Sequence, residues 1–235
     1  MNYEKLKIMG TFKSGTHSLS ETFIINDINV SRHHLQPLDS NTCYFVPIRN
    51  QKEIFLSAYF QDILHPRSYE YSLLNHLNID LSTIDETDLK KTYLDINKNK
   101  YFYEKLYETF KKTDWDKYEY LSNKYCLNLI NKIDDSFKTI PFKKNYFTIH
   151  NIPNKNISIV FLDIKIINDK EILNEMFKKL KLKYNINNIS YSNIGSTKFY
   201  ANEYAILHNK LKIENYFDEN YYDFLNPSIF TNVSI

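Results

Sequence analysis

The apolar positions of the chain fall into two rhythms. Leu6-Lys7-Ile8-Met9, Cys43-Tyr44-Phe45-Val46-Pro47-Ile48 and Ile157-Ser158-Ile159-Val160-Phe161-Leu162 are short, nearly continuous apolar runs, as expected of strands buried on both faces. Between and after them the spacing becomes helical. It is clearest in the segment opened by Asn168-Asp169, where Ile172, Met176, Phe177 and Leu180 share a face. The pattern predicts strands at 6–9, 43–48 and 157–162, an extended segment at 145–150, and helices at 17–28, 51–64, 169–181 and 202–211. Further helices are predicted near 86–95, 99–112 and 115–135, a loop at 190–200, and a last helical turn or two from Tyr216 to Leu225. Strands alternating with helices imply an α/β fold with a parallel sheet covered on both faces. The 235 residues contain neither an internal repeat nor a Pro/Gly-rich boundary, so one domain over 1–235 is expected, with a helical insertion at about 65–145. That insertion is dense in tyrosine (Tyr93, Tyr101, Tyr103, Tyr107, Tyr118, Tyr120, Tyr125), read mainly as helix packing, with a minority lining a binding cleft.

Composition changes this picture at one place. Only three glycines occur, against roughly 16 at an average usage of about 7%. A chain so depleted keeps glycine where a side chain is not tolerated, at positive φ or where backbone approaches another group closely. Two of the three bracket Gly10-Thr11-Phe12-Lys13-Ser14-Gly15-Thr16-His17, between the first predicted strand and the first predicted helix. A strand, a tight glycine turn and a helix N-terminus aim backbone N–H groups and the helix dipole at one point, so this loop is expected to hold a phosphate. A Walker A loop places lysine after its second glycine. Here Lys13 precedes Gly15, so that pattern fails.

The order Lys13-Ser14-Gly15-Thr16 resembles instead the 5′-phosphosulfate loop of sulfotransferases that use 3′-phosphoadenosine 5′-phosphosulfate (PAPS), with Phe12 where that family commonly has proline. A second segment agrees. Arg49 ends the run 43–48, and Ser57 follows eight residues later in Ser57-Ala58-Tyr59, similar to the family's Ser-x-Tyr. An arginine at a strand end and a serine two turns into the next helix suit one 3′-phosphate, the arginine as a bidentate donor. In a third segment, the run ending at Asp163 and the helix closing on Leu180-Lys181-Leu182 are similar to the family's acidic strand end and Leu-Gly-Leu closure. The third glycine stands in Asn193-Ile194-Gly195-Ser196-Thr197-Lys198, where the family has a basic, glycine-containing loop, although no arginine is present here. The resemblance runs from Lys7 to about Lys198 with a long unmatched middle.

The resemblance implies a three-layer α/β fold, a short parallel sheet flanked by helices, in a sulfotransferase-like variant of the P-loop nucleotide-binding fold, with the insertion on the acceptor side. It implies transfer of a sulfuryl group from PAPS to an acceptor hydroxyl, leaving 3′,5′-bisphosphoadenosine (PAP). Lys13 would donate to the bridging oxygen of the leaving phosphate. Ser14, Gly15, Thr16, His17 and Ser18 would hold the 5′-phosphate, and Thr16 also suits an N-cap. Gly195, Thr197 and Lys198 would close over the 3′-phosphate with Arg49 and Ser57. Three residues compete for the general base. Glu21 lies eight residues after Lys13, the offset of the catalytic glutamate in heparan-type members. His34-Leu35 is similar to the Thr-His-Leu-Pro of cytosolic members, and His17 stands at the donor itself. No metal is required. The glutamate offset favours a carbohydrate acceptor, with tyrosine residues and small phenols as alternatives.

Charge and cysteine usage exclude little. Net charge is +2 with 30 basic residues spread along the chain, so no nucleic-acid partner is expected, and Lys143-Lys144 and Lys178-Lys179 read as solvated faces. Cys43 and Cys126 read as buried thiols. No apolar run approaches the length of about 18 residues that a membrane span needs, and no hydrophobic leader is visible, so a soluble cytoplasmic protein is expected. Two other readings remain open: an atypical phosphate-loop kinase with Asp163 as its magnesium carboxylate, and a non-catalytic member that binds a nucleotide or glycan.

Overall fold

Near-continuous apolar runs make strands here because each successive side chain finds a buried face. The computed structural model describes residues 3–10, 14–33, 38–49, 51–64, 104, 107, 108, 110–112, 145–190 and 201–213. Strands β1 (Lys5–Met9), β2 (Ser31–His33), β3 (Thr42–Ile48), β4 (Phe147–Ile152) and β5 (Ile157–Asp163) form one five-stranded sheet in the order β2-β1-β3-β5-β4. All neighbours are parallel except β4, which runs antiparallel to β5 after a tight 3-10 turn at Pro153–Lys155. In β3, Cys43 and Phe45 enter one apolar cluster while Tyr44, Val46 and Ile48 enter another. In β5, Val160 and Leu162 alternate in the same way with Ile159 and Phe161. The fold is therefore α/β, a mostly parallel sheet flanked by helices.

Helices α1 (Thr16–Ile24) and α3 (Lys170–Lys179) cover the first face with Leu19, Phe23, Leu173, Met176 and Phe177. Phe23, Phe45 and Phe177 meet with ring centroids 5.1, 5.3 and 6.1 Å apart, the tilted and edge-on arrangements that aromatic quadrupoles favour. Asp169 caps α3 by accepting from Ile172 N at 3.0 Å, which ties its predicted start to a named hydrogen bond. Cys43 is buried in the same cluster, and burial pushes its thiol up, as expected of an inert core cysteine.

The helix predicted at 17–28 stops at Ile24. Asp27 takes the left-handed conformation (φ 59), its N–H reaches Ile24 O at 3.0 Å, and Ile28 N–H reaches Phe23 O at 3.0 Å. That pair of bonds closes a helix and normally uses glycine. Lys181 (φ 56) closes α3 in the same manner, with Leu182 N–H on Phe177 O at 3.0 Å. The short edge strand β2 was not predicted. Its three residues follow Val30 without the apolar alternation that marks a strand.

Asparagine side chains fasten the extended segment after α3. Asn26 Nδ2 donates to Thr22 O (2.6 Å) and Asn188 O (2.7 Å), while its Oδ1 accepts from Asn187 N (2.7 Å) and Asn188 N (3.0 Å). On the other side, Asn174 exchanges two bonds with the backbone of Ile186, at 2.6 and 3.0 Å. Among the described residues the segment has no strand partner, and these amides bond the backbone of Ile186, Asn187 and Asn188 instead.

The chain divides into two compact units, Met1–Ile54, Glu119–Asn193 and Glu219–Ile235 in one and Phe55–Tyr118 and Ile194–Asp218 in the other. Helix α2 (Gln51–Leu64) begins in the first and continues in the second, where Phe55, Leu56, Tyr59 and Phe60 are buried. There Tyr59 meets Phe110 edge-on at 5.1 Å, and Phe60 meets Tyr204 of α4 (Ala201–Ile213) at 5.6 Å. The predicted helices near 86–95 and 115–135, most of 99–112, the segment from Tyr216, residues 191–200 and Cys126 lie outside the described residues. Among the described residues no helix is long and apolar enough to cross a membrane.

Asn26→Ala removes three hydrogen bonds to Asn187 and Asn188 and the one to Thr22 O that anchors them to α1. Native-state hydrogen exchange should show the Asn187 and Asn188 amides losing protection while those of β3 and β5 keep theirs, with stability lower by about 1–3 kcal/mol. Unchanged protection at Asn187 and Asn188 would mean that something else holds the segment.

Candidate functional site

A parallel strand order gathers the loops that follow the strands at one edge. Met9 of β1 pairs with His33 of β2, Ile8 with Phe45 of β3, and Ile48 with Asp163 of β5. Gly10, Arg49 and Ile164 therefore leave the sheet side by side. Connections run from β1 to β2 on one side and from β3 toward β4 and β5 on the other. β1 and β3 thus flank the point where the strand order reverses, the place where open α/β sheets bind ligands. The loop after β1 and Arg49 after β3 frame that point.

The two glycines of the first loop are both needed, for different reasons. A Cβ on Gly10 would lie 2.7 Å from Ser14 Oγ and 2.9 Å from Thr16 Cγ2, so the loop closes back on its own start. Ser14 is buried in that closure. Gly15 adopts φ +99, and a Cβ there would lie 2.9 Å from Ile164 Cδ1 in the turn after β5. Gly15 is also the N-cap of α1, a role sequence reading offered to Thr16, which is instead the first helical residue. A glycine cap brings no side-chain acceptor, and the first turn carries no acidic residue. Neither the N-cap residue nor an acidic first-turn side chain answers the positive end of α1. His17 and Ser18 occupy the same first turn.

The remaining candidates divide into three groups. Lys13, His34, Gly195, Thr197 and Lys198 lie outside the described residues. The chain re-enters beyond His34 at Leu38, where Lys7 Nζ donates to Asp39 Oδ2 (2.6 Å) and Asp39 N–H donates to Tyr44 Oη (2.6 Å). Arg49 is set by its neighbour in sequence, its Nε donating to Glu53 Oε2 at 3.2 Å in the first turn of α2. Ser57 is buried on the part of α2 that belongs to the second unit. Asp163 spends both carboxylate oxygens on backbone, Oδ1 accepting from Lys165 N at 3.0 Å and Oδ2 from Asn145 N at 2.8 Å. It fastens the turn against which Gly15 rests.

Glu21 is neither free nor turned to bulk solvent. Its Oε1 lies 3.1 Å from His17 Nδ1, one helical turn earlier, and its Oε2 accepts from Ser190 Oγ at 3.0 Å. Ser190 N in turn donates to Thr22 Oγ1 at 3.1 Å. Sequence reading named His17 and Glu21 as separate candidates and missed their pairing, although a spacing of four on one helix was the available signal. Ser190, so distant in sequence, offered none. Among the described residues, no three His, Cys, Asp or Glu side chains are grouped so as to hold a metal ion.

Compared with protein-family models, with curated proteins and with solved structures, the chain finds no match.

Gly15→Ala should destabilise the first unit on two counts. A side chain at positive φ costs about 1–2 kcal/mol, and forcing Ile164 aside adds about 1–3 kcal/mol. Urea unfolding followed in the first unit would show a lower midpoint. An unchanged midpoint would refute the close approach of this loop to the turn after β5.

Proposed function

We propose that the chain is a PAPS-dependent sulfotransferase built on a sulfotransferase-like variant of the P-loop nucleotide-binding fold. The observation that carries the reading is the position of the Gly10–Gly15 loop. Its described ends, Gly10 and Ser14–Gly15, stand at the strand-order reversal, a Cβ on either glycine would crowd neighbouring side chains, and Gly15 leads into a helix N-terminus without an acidic first turn. Such a loop fits a 5′-phosphate, because converging backbone N–H groups and the helix dipole stabilise the anion without help from a metal. Arg49 stands across the reversal point at the end of β3, where its guanidinium suits a second phosphate on the same nucleotide. A nucleotide carrying both 5′- and 3′-phosphates satisfies the two positions together. Ser57, implied by the resemblance for the same 3′-phosphate, adds no independent support.

PAPS supplies an activated sulfuryl group whose departure leaves charge on a phosphate oxygen. Lys13 provides the compensating positive charge there, and the backbone from Ser14 to Ser18 holds the phosphate in line for attack. The acceptor is a hydroxyl, a carbohydrate first and a phenol or tyrosine residue as alternatives. A kinase is disfavoured by the loop order, in which Lys13 precedes Gly15 and does not follow the second glycine.

Lys13→Ala should lower sulfuryl transfer from PAPS on the order of 10²-fold or more, by analogy with the loss of one oxyanion donor. Unchanged rate and donor affinity in that variant would refute the loop's role.

Arg49→Ala should weaken PAP about 10-fold or more while leaving adenosine 5′-monophosphate nearly unaffected, because only PAP carries the phosphate that the arginine pairs with. Calorimetry measures both ligands. Equal weakening would place Arg49 away from the 3′-phosphate.

A further inference from the structure

We infer that His17 takes the acceptor proton during sulfuryl transfer and that Glu21 is its positioning residue, an inference that rests on the sulfotransferase reading above. His17 is the second residue of α1, directly beyond the left-handed Gly15 and the loop assigned to the 5′-phosphate. Its Nδ1 faces Glu21 Oε1 at 3.1 Å. A carboxylate only accepts, so the nitrogen facing it carries the hydrogen, and a neutral imidazole then presents an unprotonated Nε2. The His17 side chain is 51% exposed and that of Glu21 32%, which leaves the imidazole accessible to an incoming hydroxyl. The carboxylate is fixed from its other oxygen by Ser190 Oγ, which is tied through its own N–H to Thr22. With each of its oxygens facing a donor, Glu21 is suited to orient the imidazole.

The step balances. The acceptor oxygen forms a bond to sulfur as the bond from sulfur to the 5′-phosphate oxygen breaks. The electron pair of the broken bond stays on that phosphate oxygen, giving PAP, and the hydroxyl proton passes to His17 Nε2. No oxidant, reductant or metal enters. A glutamate that holds one imidazole nitrogen so that the other works as a base repeats, on one helix, the division of roles found in acid–histidine pairs generally.

Nitrogen-15 NMR reads the tautomer directly, with the His17 resonances assigned by their loss in His17→Gln. The neutral ring should carry its hydrogen on Nδ1 in the wild-type chain and lose that preference in Glu21→Ala, a change that a merely structural glutamate would not produce. Turnover is read by transfer of labelled sulfate from PAPS to water, N-acetylglucosamine and p-nitrophenol. His17→Gln should lower it by about 10²–10⁴-fold with PAP affinity unchanged, and Glu21→Ala by about 10–100-fold, mainly in kcat. Ser190→Ala, which keeps both residues of the pair, provides a milder variant whose loss should be the smallest. An Nδ1 without hydrogen in the wild-type ring, or a His17→Gln chain that binds PAP and keeps full turnover, overturns the base assignment and leaves the sulfotransferase reading standing. A wild-type chain that binds PAP but transfers sulfate to none of the probes overturns the base assignment as well. Failure of the wild-type chain to bind PAP overturns the reading itself, and the base with it.

Discussion

The close approach of the β1–α1 turn to two neighbours is the constraint on which the rest of the site depends. At Gly10 the turn folds onto its own Ser14, and at Gly15 it rests on Ile164 of the turn leaving β5. A Cβ at Gly10 or Gly15 would force a neighbouring side chain aside, and Gly15 also holds a positive φ, so both positions suit glycine. The same contact fixes where α1 begins, and hence where its first-turn N–H groups and His17 stand. Asp163 secures the opposite partner by holding Lys165 and Asn145 through their amides. A buried carboxylate used in this way stabilises a loop junction.

Elsewhere among the described residues the left-handed turns are made without glycine. Asp27, Asn41, Asn145, Asn156 and Lys181 all have positive φ. Asparagine and aspartate tolerate that conformation because their short polar groups bond locally. The two described glycines stand where space, and not only dihedral angle, is limiting. This separates the β1–α1 loop from the ordinary helix ends and turns among the described residues, and makes glycine scarcity a usable signal.

Much of the sheet and its order of elements was legible in the sequence, because parallel strands buried on both faces read as unbroken apolar runs. β3 and β5 were recognised for that reason, and α3 because Asp169 and its apolar face announce it. β2 was not, since a three-residue edge strand carries no period of its own. The end of α1 was overrun because Asp27 in the role of glycine gives no composition signal. The glycine loop and Arg49 were legible as pieces. Their meeting at the strand-order reversal follows from β1 lying between β2 and β3, which no local pattern encodes. The Glu21–Ser190 bond was illegible for the same reason, being a long-range contact arranged by asparagine amides along the segment after α3.

The central claim is that the loop at the end of β1 and the arginine at the end of β3 together recognise a nucleotide with phosphates on both its 5′ and 3′ positions. Calorimetric titration of the wild-type chain with PAP, adenosine diphosphate and adenosine triphosphate, each with and without magnesium, tests it most directly. The account predicts that PAP binds tightest and that magnesium makes no difference to it. Preference for adenosine triphosphate with magnesium, or no binding of PAP, would contradict it.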